Sequence, residues 1–205
     1  MPIRAVVFDL GGVLERIGDF EAVVAATWLE RLAMSPAEFS AAIDAIDPEK
    51  KSETGQMSEA EWAARCAACL RLSPEQQREF AADVWDWYCG ELDHDLMAFA
   101  ASLRPRARTA IISNSADGAR REELARYALD EIFDPIIYSH EVGMAKPDPA
   151  IFKLACLLMG VAPAEMIFVD DVAGHVAAAR GLGISGILHR HTPETIASVS
   201  ALLAG

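Results

Sequence analysis

The chain has 205 residues, 52% of them hydrophobic and 24% charged, which allows one substantial core with a small satellite unit and excludes a disordered protein. A formal net charge of -13 sets most of the surface against a polyanion and excludes nucleic acid as a partner, while a few Lys, Arg and backbone N–H groups can still build a local anion site. No apolar run reaches the ~20 residues of a membrane span, and the N-terminus carries no basic, apolar leader, so a cytoplasmic protein without membrane contact is expected.

The first element is expected at Ala5–Phe8, a continuous apolar run that breaks at Leu10-Gly11-Gly12. About a hundred residues of helical pattern follow. Ser35-Pro36-Ala37-Glu38, Ser58-Glu59-Ala60-Glu61 and Ser73-Pro74-Glu75-Gln76 each place a capping hydroxyl three residues before Glu or Gln, and two have Pro at the first helical position. Helices are therefore expected near 21–33, 36–46, 58–70 and 74–88. Trp28, Trp62, Trp85 and Trp87 fall in this block and read as core of a small bundle, with room for one to face a substrate. Cys66 and Cys69 share one helical face and read as two buried thiols. A zinc site needs a second close pair, which Cys89 and Cys156 do not make.

Further strands are expected at Thr109–Ile112, Ile136–Tyr138, Met166–Val169 and Gly186–Leu188, with helices at Pro149–Met159 and His175–Leu182 between the last three. Short, apolar strands alternating with helices imply an α/β fold, a Rossmann-like doubly wound parallel sheet covered on both faces. An all-helical block inserted after the first strand has to lie outside the sheet, above the strand ends where such folds bind ligands. The expected division is a core of 1–15 and 90–205 and an inserted all-helical cap of 16–89.

Four strand ends carry the candidate chemistry. Asp9 ends Val6-Val7-Phe8, Ser113-Asn114 end Ile111-Ile112, Lys146 follows Gly143-Met144-Ala145, and Asp170-Asp171 end Phe168-Val169. Each has an ordinary alternative: a turn carboxylate before Gly-Gly, a helix cap, a solvated Lys, a loop pair of acids. Converging on one crevice, they supply a nucleophilic carboxylate, a phosphate-binding hydroxyl, a cation and an acidic pair for Mg²⁺, the parts of phosphoryl transfer through an aspartyl-phosphate.

With these motifs the sequence resembles the haloacid dehalogenase superfamily over its whole length. Phe8-Asp9-Leu10-Gly11-Gly12-Val13-Leu14 is similar to the first family motif, Ser113-Asn114 to the second, Lys146-Pro147-Asp148-Pro149-Ala150-Ile151-Phe152 to the third and Asp170-Asp171 to the fourth. The block between the first two resembles the C1-type helical cap. The resemblance implies a Mg²⁺-dependent phosphatase acting on a small phosphorylated substrate. Asp9 would attack phosphorus, Lys146 would hold the nucleophile and the phosphate, and Ser113 with the Asn114 N–H would bind a phosphate oxygen. Asp171 would ligate the metal directly, with Asp170 supporting it directly or through water, and Asp9 and the Gly11 carbonyl completing the set.

The family usually has a second Asp two positions after the nucleophile, where this chain has Gly11. The carbonyl ligand survives and the acid is lost, which typically costs about 10² to 10⁴ in rate. His175 stands where the family often has Asn and is read as helix-start packing; His189 and His191 are read as surface residues. Three rival readings remain: a 2-haloacid dehalogenase, for which Gly11 is harmless but a metal-binding acid pair superfluous; a receiver-like domain, whose acids and Lys come in another order; and a catalytically weak phosphate-binding member.

Overall fold

The first strand forms because residues 5–8 are apolar on both sides of the pleat and have neighbours above, below and beside them. A computed structural model describes residues 2–205. In chain order the elements are β1 (Ala5–Phe8), β2 (Glu15–Arg16), a wide helical turn at Glu21–Ala25 running into α1 (Ala26–Leu32), α2 (Pro36–Asp44), α3 (Glu59–Leu70), α4 (Pro74–Cys89) and β3 (Glu91–Leu92). Then follow α5 (His94–Ser102), β4 (Arg108–Ser113), α6 (Ala119–Arg126), β5 (Ile136–Tyr138), α7 (Ser139–Val142), α8 (Pro149–Met159), β6 (Met166–Asp170), α9 (Ala173–Gly181), β7 (Ser185–Leu188) and α10 (Thr192–Ala204).

Five strands make a parallel sheet in the order β5-β4-β1-β6-β7, with β1 at its centre. The chain adds β4 and β5 on one side of β1 and then β6 and β7 on the other, which makes the C-terminal end of β1 the switch point of the sheet, where α/β folds place ligands. Alternate side chains of β1 feed two cores. Val6 and Phe8 pack with Leu96, Met97 and Ala100 of α5 and Val199 of α10, whereas Ala5 and Val7 pack with Ile151, Phe152 and Ala155 of α8 and Ala179 of α9.

The four helices between β2 and β3 bury a third apolar cluster of their own, in which Trp28, Phe39, Ile46, Cys66, Leu70 and Phe80 are buried and Trp62 and Trp87 pack alongside. Their starts follow the predicted caps: Ser35, Ser58 and Ser73 each accept the N–H of the third helical residue, whose side chain returns a bond to the cap N–H. The paired strands β2 and β3, which the apolar pattern had not marked, run antiparallel where the chain leaves and re-enters the sheet region.

Several expectations are corrected. Cys66 is buried but Cys69 only half-buried. Trp85 is outside the helical core cluster and lines a cavity instead. His189 is not a surface residue: it is buried, and its Nδ1 lies 2.8 Å from the Thr195 hydroxyl, because β7 delivers it beneath the start of α10. His191 is exposed, as expected. Among the described residues no helix is long and apolar enough to cross a membrane.

Candidate active site

The backbone N–H of Asp9 still belongs to the sheet, donating to Val169 O at 2.8 Å, while its carboxylate projects beyond the strand end. Asp9 Oδ1 accepts the Leu10 N–H at 2.8 Å and lies 2.6 Å from Lys146 Nζ. Oδ2 carries no hydrogen bond among the described residues. Lys146, expected at a strand end, comes instead from the loop between α7 and α8; it is 3% exposed and spends its ammonium on Asp9 Oδ1, on Asp170 Oδ2 at 2.8 Å and on Ile112 O at 2.9 Å. Three acceptors for three N–H groups leave it no freedom of position.

The two carboxylates that share this ammonium titrate in opposite directions. Burial pushes Asp9 up to about 7, with the Lys146 charge opposing and the Asp170 charge adding to the rise. Burial also works against ionised Asp170, but the contact with His175, the charge and hydrogen bond of Lys146 and the Val172 N–H outweigh it and hold Asp170 down at about 2. His175 is thus more than helix-start packing: its Nδ1 lies 3.1 Å from both Asp170 oxygens. Asp170 Oδ1 also accepts the Val172 N–H at 2.8 Å, so Asp170 is committed to holding its neighbours in place.

Among the described residues the Asp171 carboxylate has no such partners. It projects over the turn after β1, and a Cβ placed on Gly12 would meet its Oδ2 at 2.6 Å. Gly12 has φ +78°, so both backbone and space demand glycine there. Gly11 needs neither: its φ is ordinary, and a Cβ would meet only the tip of Ile17, at 2.8 Å. The turn is closed by three N–H groups, of Val13, Leu14 and Glu15, on Leu10 O, and by Gly12 N–H on Glu15 O at 2.8 Å.

Ser113 is buried at the end of β4 beside the site. The Asn114 side chain has a part of its own that the sequence did not mark: it clamps the Lys146 backbone, accepting its N–H and donating to its C=O, both at 2.8 Å. The loop carrying Lys146 is thereby tied to the end of β4.

Asp9, Gly11, Gly12, Ser113, Asn114 and Asp171 line one cavity of about 360 Å³. Its wall also holds three polar residues that sequence reasoning missed: Glu15, Tyr88 and Glu123. Glu15 and Glu123 are buried, and Oε1 of each has no hydrogen-bond partner among the described residues. Burial, the Glu123 charge and the Asp9 charge push Glu15 up to about 9. Burial pushes Glu123 up to about 7, against the hydrogen bond it accepts from the Tyr138 hydroxyl. No signal marked them: Glu123 sits in Arg-Arg-Glu-Glu-Leu-Ala-Arg, which reads as a solvated helix face, and Glu15 is buried only because its turn folds back on itself.

This arrangement fits a hard divalent cation. Four carboxylates face one cavity, the Lys146 ammonium is already shared between Asp9 and Asp170, and burial raises Asp9 in spite of it, so the site can take further positive charge. Among the described residues, Asp9, Asp170 and His175 also bring one ligand atom each within 4.8 Å of one another.

A parallel α/β sheet with an acid and ammonium cluster at its switch point defines a class of enzymes that use a strand-end carboxylate. The chain belongs to the haloacid dehalogenase-like hydrolases, whose family profile matches residues 3–183. Bifunctional epoxide hydrolase 2 of Sus scrofa is 30% identical over 215 residues, which cover 96% of this chain and 38% of that protein. Phosphoserine phosphatase of Thermus thermophilus is 36% identical over 118 residues, 56% of this chain and 47% of that protein. The chain therefore spans less than half the length of either relative. Among solved structures, a family enzyme from Bacteroides thetaiotaomicron superposes with a TM-score of 0.79 at 22% identity, over 93% of this chain and 95% of its own. Its complex with magnesium and inorganic phosphate superposes with a TM-score of 0.74 at 23% identity, over 92% and 94%.

Proposed function

We propose that the chain is a Mg²⁺-dependent phosphatase that cleaves a small phosphate monoester through an aspartyl-phosphate on Asp9. The observation that carries this reading is the position of Asp9: it stands at the switch point of the sheet, tethered through Oδ1 alone, in a cavity shared with Ser113 and Asp171. Oδ2 is free to attack phosphorus. Lys146 fixes Oδ1 and offers positive charge to the phosphoryl oxygens, Ser113 donates to one of them, and the Asn114 backbone N–H donates to the same group while its side chain holds Lys146 in place. Asp170 acts with His175 to position Lys146. Asp9, the Gly11 carbonyl and Asp171, with Asp170 behind them, would hold Mg²⁺, which would supply charge neutralisation for Asp9 and the phosphate.

The helices of 16–89 are the cap in this reading, and 1–15 with 90–205 the core. Their separate apolar cluster and the β2–β3 pair at the crossing support that division. A 2-haloacid dehalogenase is less well supported, since it has no use for a metal, whereas the acidic pair Asp170-Asp171 beside Asp9 is most readily explained by a cation.

With Gly11 in place of an acid, aryl phosphates should turn over far faster than alkyl phosphates. The test is a Mg²⁺-dependent screen of phosphate esters with wild type and Asp9→Asn in parallel. Loss of turnover in Asp9→Asn with the fold intact is the expected result; activity that persists sinks the mechanism.

A further inference from the structure

We infer that a second cavity beside the Asp9 site receives the body of the substrate, and that this body is a small apolar group of single-ring size carrying no second negative charge. The inference rests on the phosphatase reading above for what enters the first cavity, and adds what the enzyme selects.

The second cavity measures about 200 Å³ and is walled by Met57, Trp62, Val84, Trp85, Trp87 and Tyr88 from the helical block. Ala116 and Asp117 close it from the sheet side. Two features place it next to the Asp9 cavity. Tyr88 is a wall of both, and the loop after β4 lines the first with Ser113 and Asn114 and the second with Ala116 and Asp117. A group esterified to a phosphate held at Ser113 therefore has the aromatic cavity as its next enclosure.

The polar groups at its rim are already committed to one another. Glu59 accepts the Trp85 indole N–H at 3.0 Å and pairs with Arg121 at 2.8 and 3.0 Å, and Asp117 accepts the Glu59 N–H at 3.0 Å. Among the described residues no Lys or Arg lines either cavity. A carboxylate or second phosphate on the substrate body would enter an aromatic cavity whose acidic lining residues are Glu59 and Asp117 and which offers it no cation, and a buried unpaired charge is strongly disfavoured. Size limits the body as well. An apolar cavity of ~150 Å³ admits benzene, so the space here suits one ring with a methylene or two.

Three esters with similar alkyl leaving groups separate this selection from leaving-group acidity: 2-phenylethyl, ethyl and 2-carboxyethyl phosphate. Because one methylene in an apolar pocket is worth about 10- to 200-fold, kcat/KM for the phenylethyl ester should exceed that for the ethyl ester by at least ~100-fold, with the carboxyethyl ester no better than ethyl. In Ala116→Phe, which fills the cavity, the phenylethyl-to-ethyl ratio should collapse toward one. The uncleavable 2-phenylethylphosphonate and ethylphosphonate, titrated against wild type by tryptophan fluorescence, should differ in affinity by the same order.

Equal affinities for the two phosphonates, or a preference for the carboxyethyl ester, would overturn the inference. Turnover of p-nitrophenyl phosphate tests the phosphatase reading separately: an inactive protein that still prefers the phenylethyl phosphonate refutes that reading and keeps this one.

Discussion

Gly11→Asp restores the acid that the first motif lacks, and the structure says what it costs. Gly11 lies outside the left-handed region, so the backbone accepts a side chain without strain. The new Cβ meets only Ile17 Cδ1, at 2.8 Å, the end of a flexible side chain. Turning Ile17 aside costs about 0.5–1.5 kcal/mol, and the restricted unfolded chain returns about 0.4–1 kcal/mol, so stability should change by less than about 1 kcal/mol. The gain should appear only where a leaving group needs a proton. A general acid is worth about 10² to 10⁴, so kcat for 2-phenylethyl phosphate should rise by at least ~100-fold while p-nitrophenyl phosphate changes little. Steady-state kinetics on both esters, at one Mg²⁺ concentration, read the ratio directly. A folded variant with an unchanged ratio would refute the reasoning and assign proton donation to another acid of the cavity. Gly12→Ala is the control. With φ +78° and a Cβ 2.6 Å from Asp171 Oδ2, it should lose about 1–3 kcal/mol and most activity.

Three further outcomes follow from the same geometry. Lys146→Met leaves Asp9 and Asp170 without their shared ammonium, so denaturant unfolding at pH 8 should show a loss of about 3–5 kcal/mol, or about 6–20 °C in Tm; a loss under ~1 kcal/mol would contradict the buried ion pair. Glu15 keeps its proton to about pH 9 in the folded chain but only to the ordinary 4.5 when unfolded, so folding takes up a proton between these values and stability falls as pH rises through them. This group contributes at most ~1.4 kcal/mol per pH unit, and Glu15→Gln, measured in EDTA by thermal unfolding from pH 5 to 9, should flatten the decline. His175→Ala should weaken Mg²⁺ binding by ~10- to 100-fold in a calorimetric titration, because Asp170 loses a partner that orients it; unchanged affinity would make His175 a packing residue after all.

Local signals in the chain determined a good deal of this protein. Continuous apolar runs marked all five strands of the parallel sheet to within a residue or so, and three Ser-x-x-Glu/Gln starts marked helices α2, α3 and α4 with their reciprocal capping bonds. Asp9, Ser113 and Asp170-Asp171 were legible because each sits at the end of such a run, and parallel strands bring their C-terminal ends to one edge whatever the intervening helices do; Lys146 was legible only through its Lys-Pro-Asp-Pro motif, since it lies in the loop between α7 and α8. Tertiary structure alone decided how those groups divide the work. That Asp170 is tied to Lys146 and His175 while the Asp171 carboxylate stays free, that the Asn114 side chain turns to the Lys146 backbone, and that Glu15, Tyr88 and Glu123 wall the cavity all depend on contacts between residues far apart in sequence. Tryptophans show the same limit: Trp28 and Trp85 are alike in composition, yet one is core and the other faces a cavity. A residue's period and neighbours set the element it joins, whereas its burial, its partners and hence its charge state are set by what the rest of the chain packs against it.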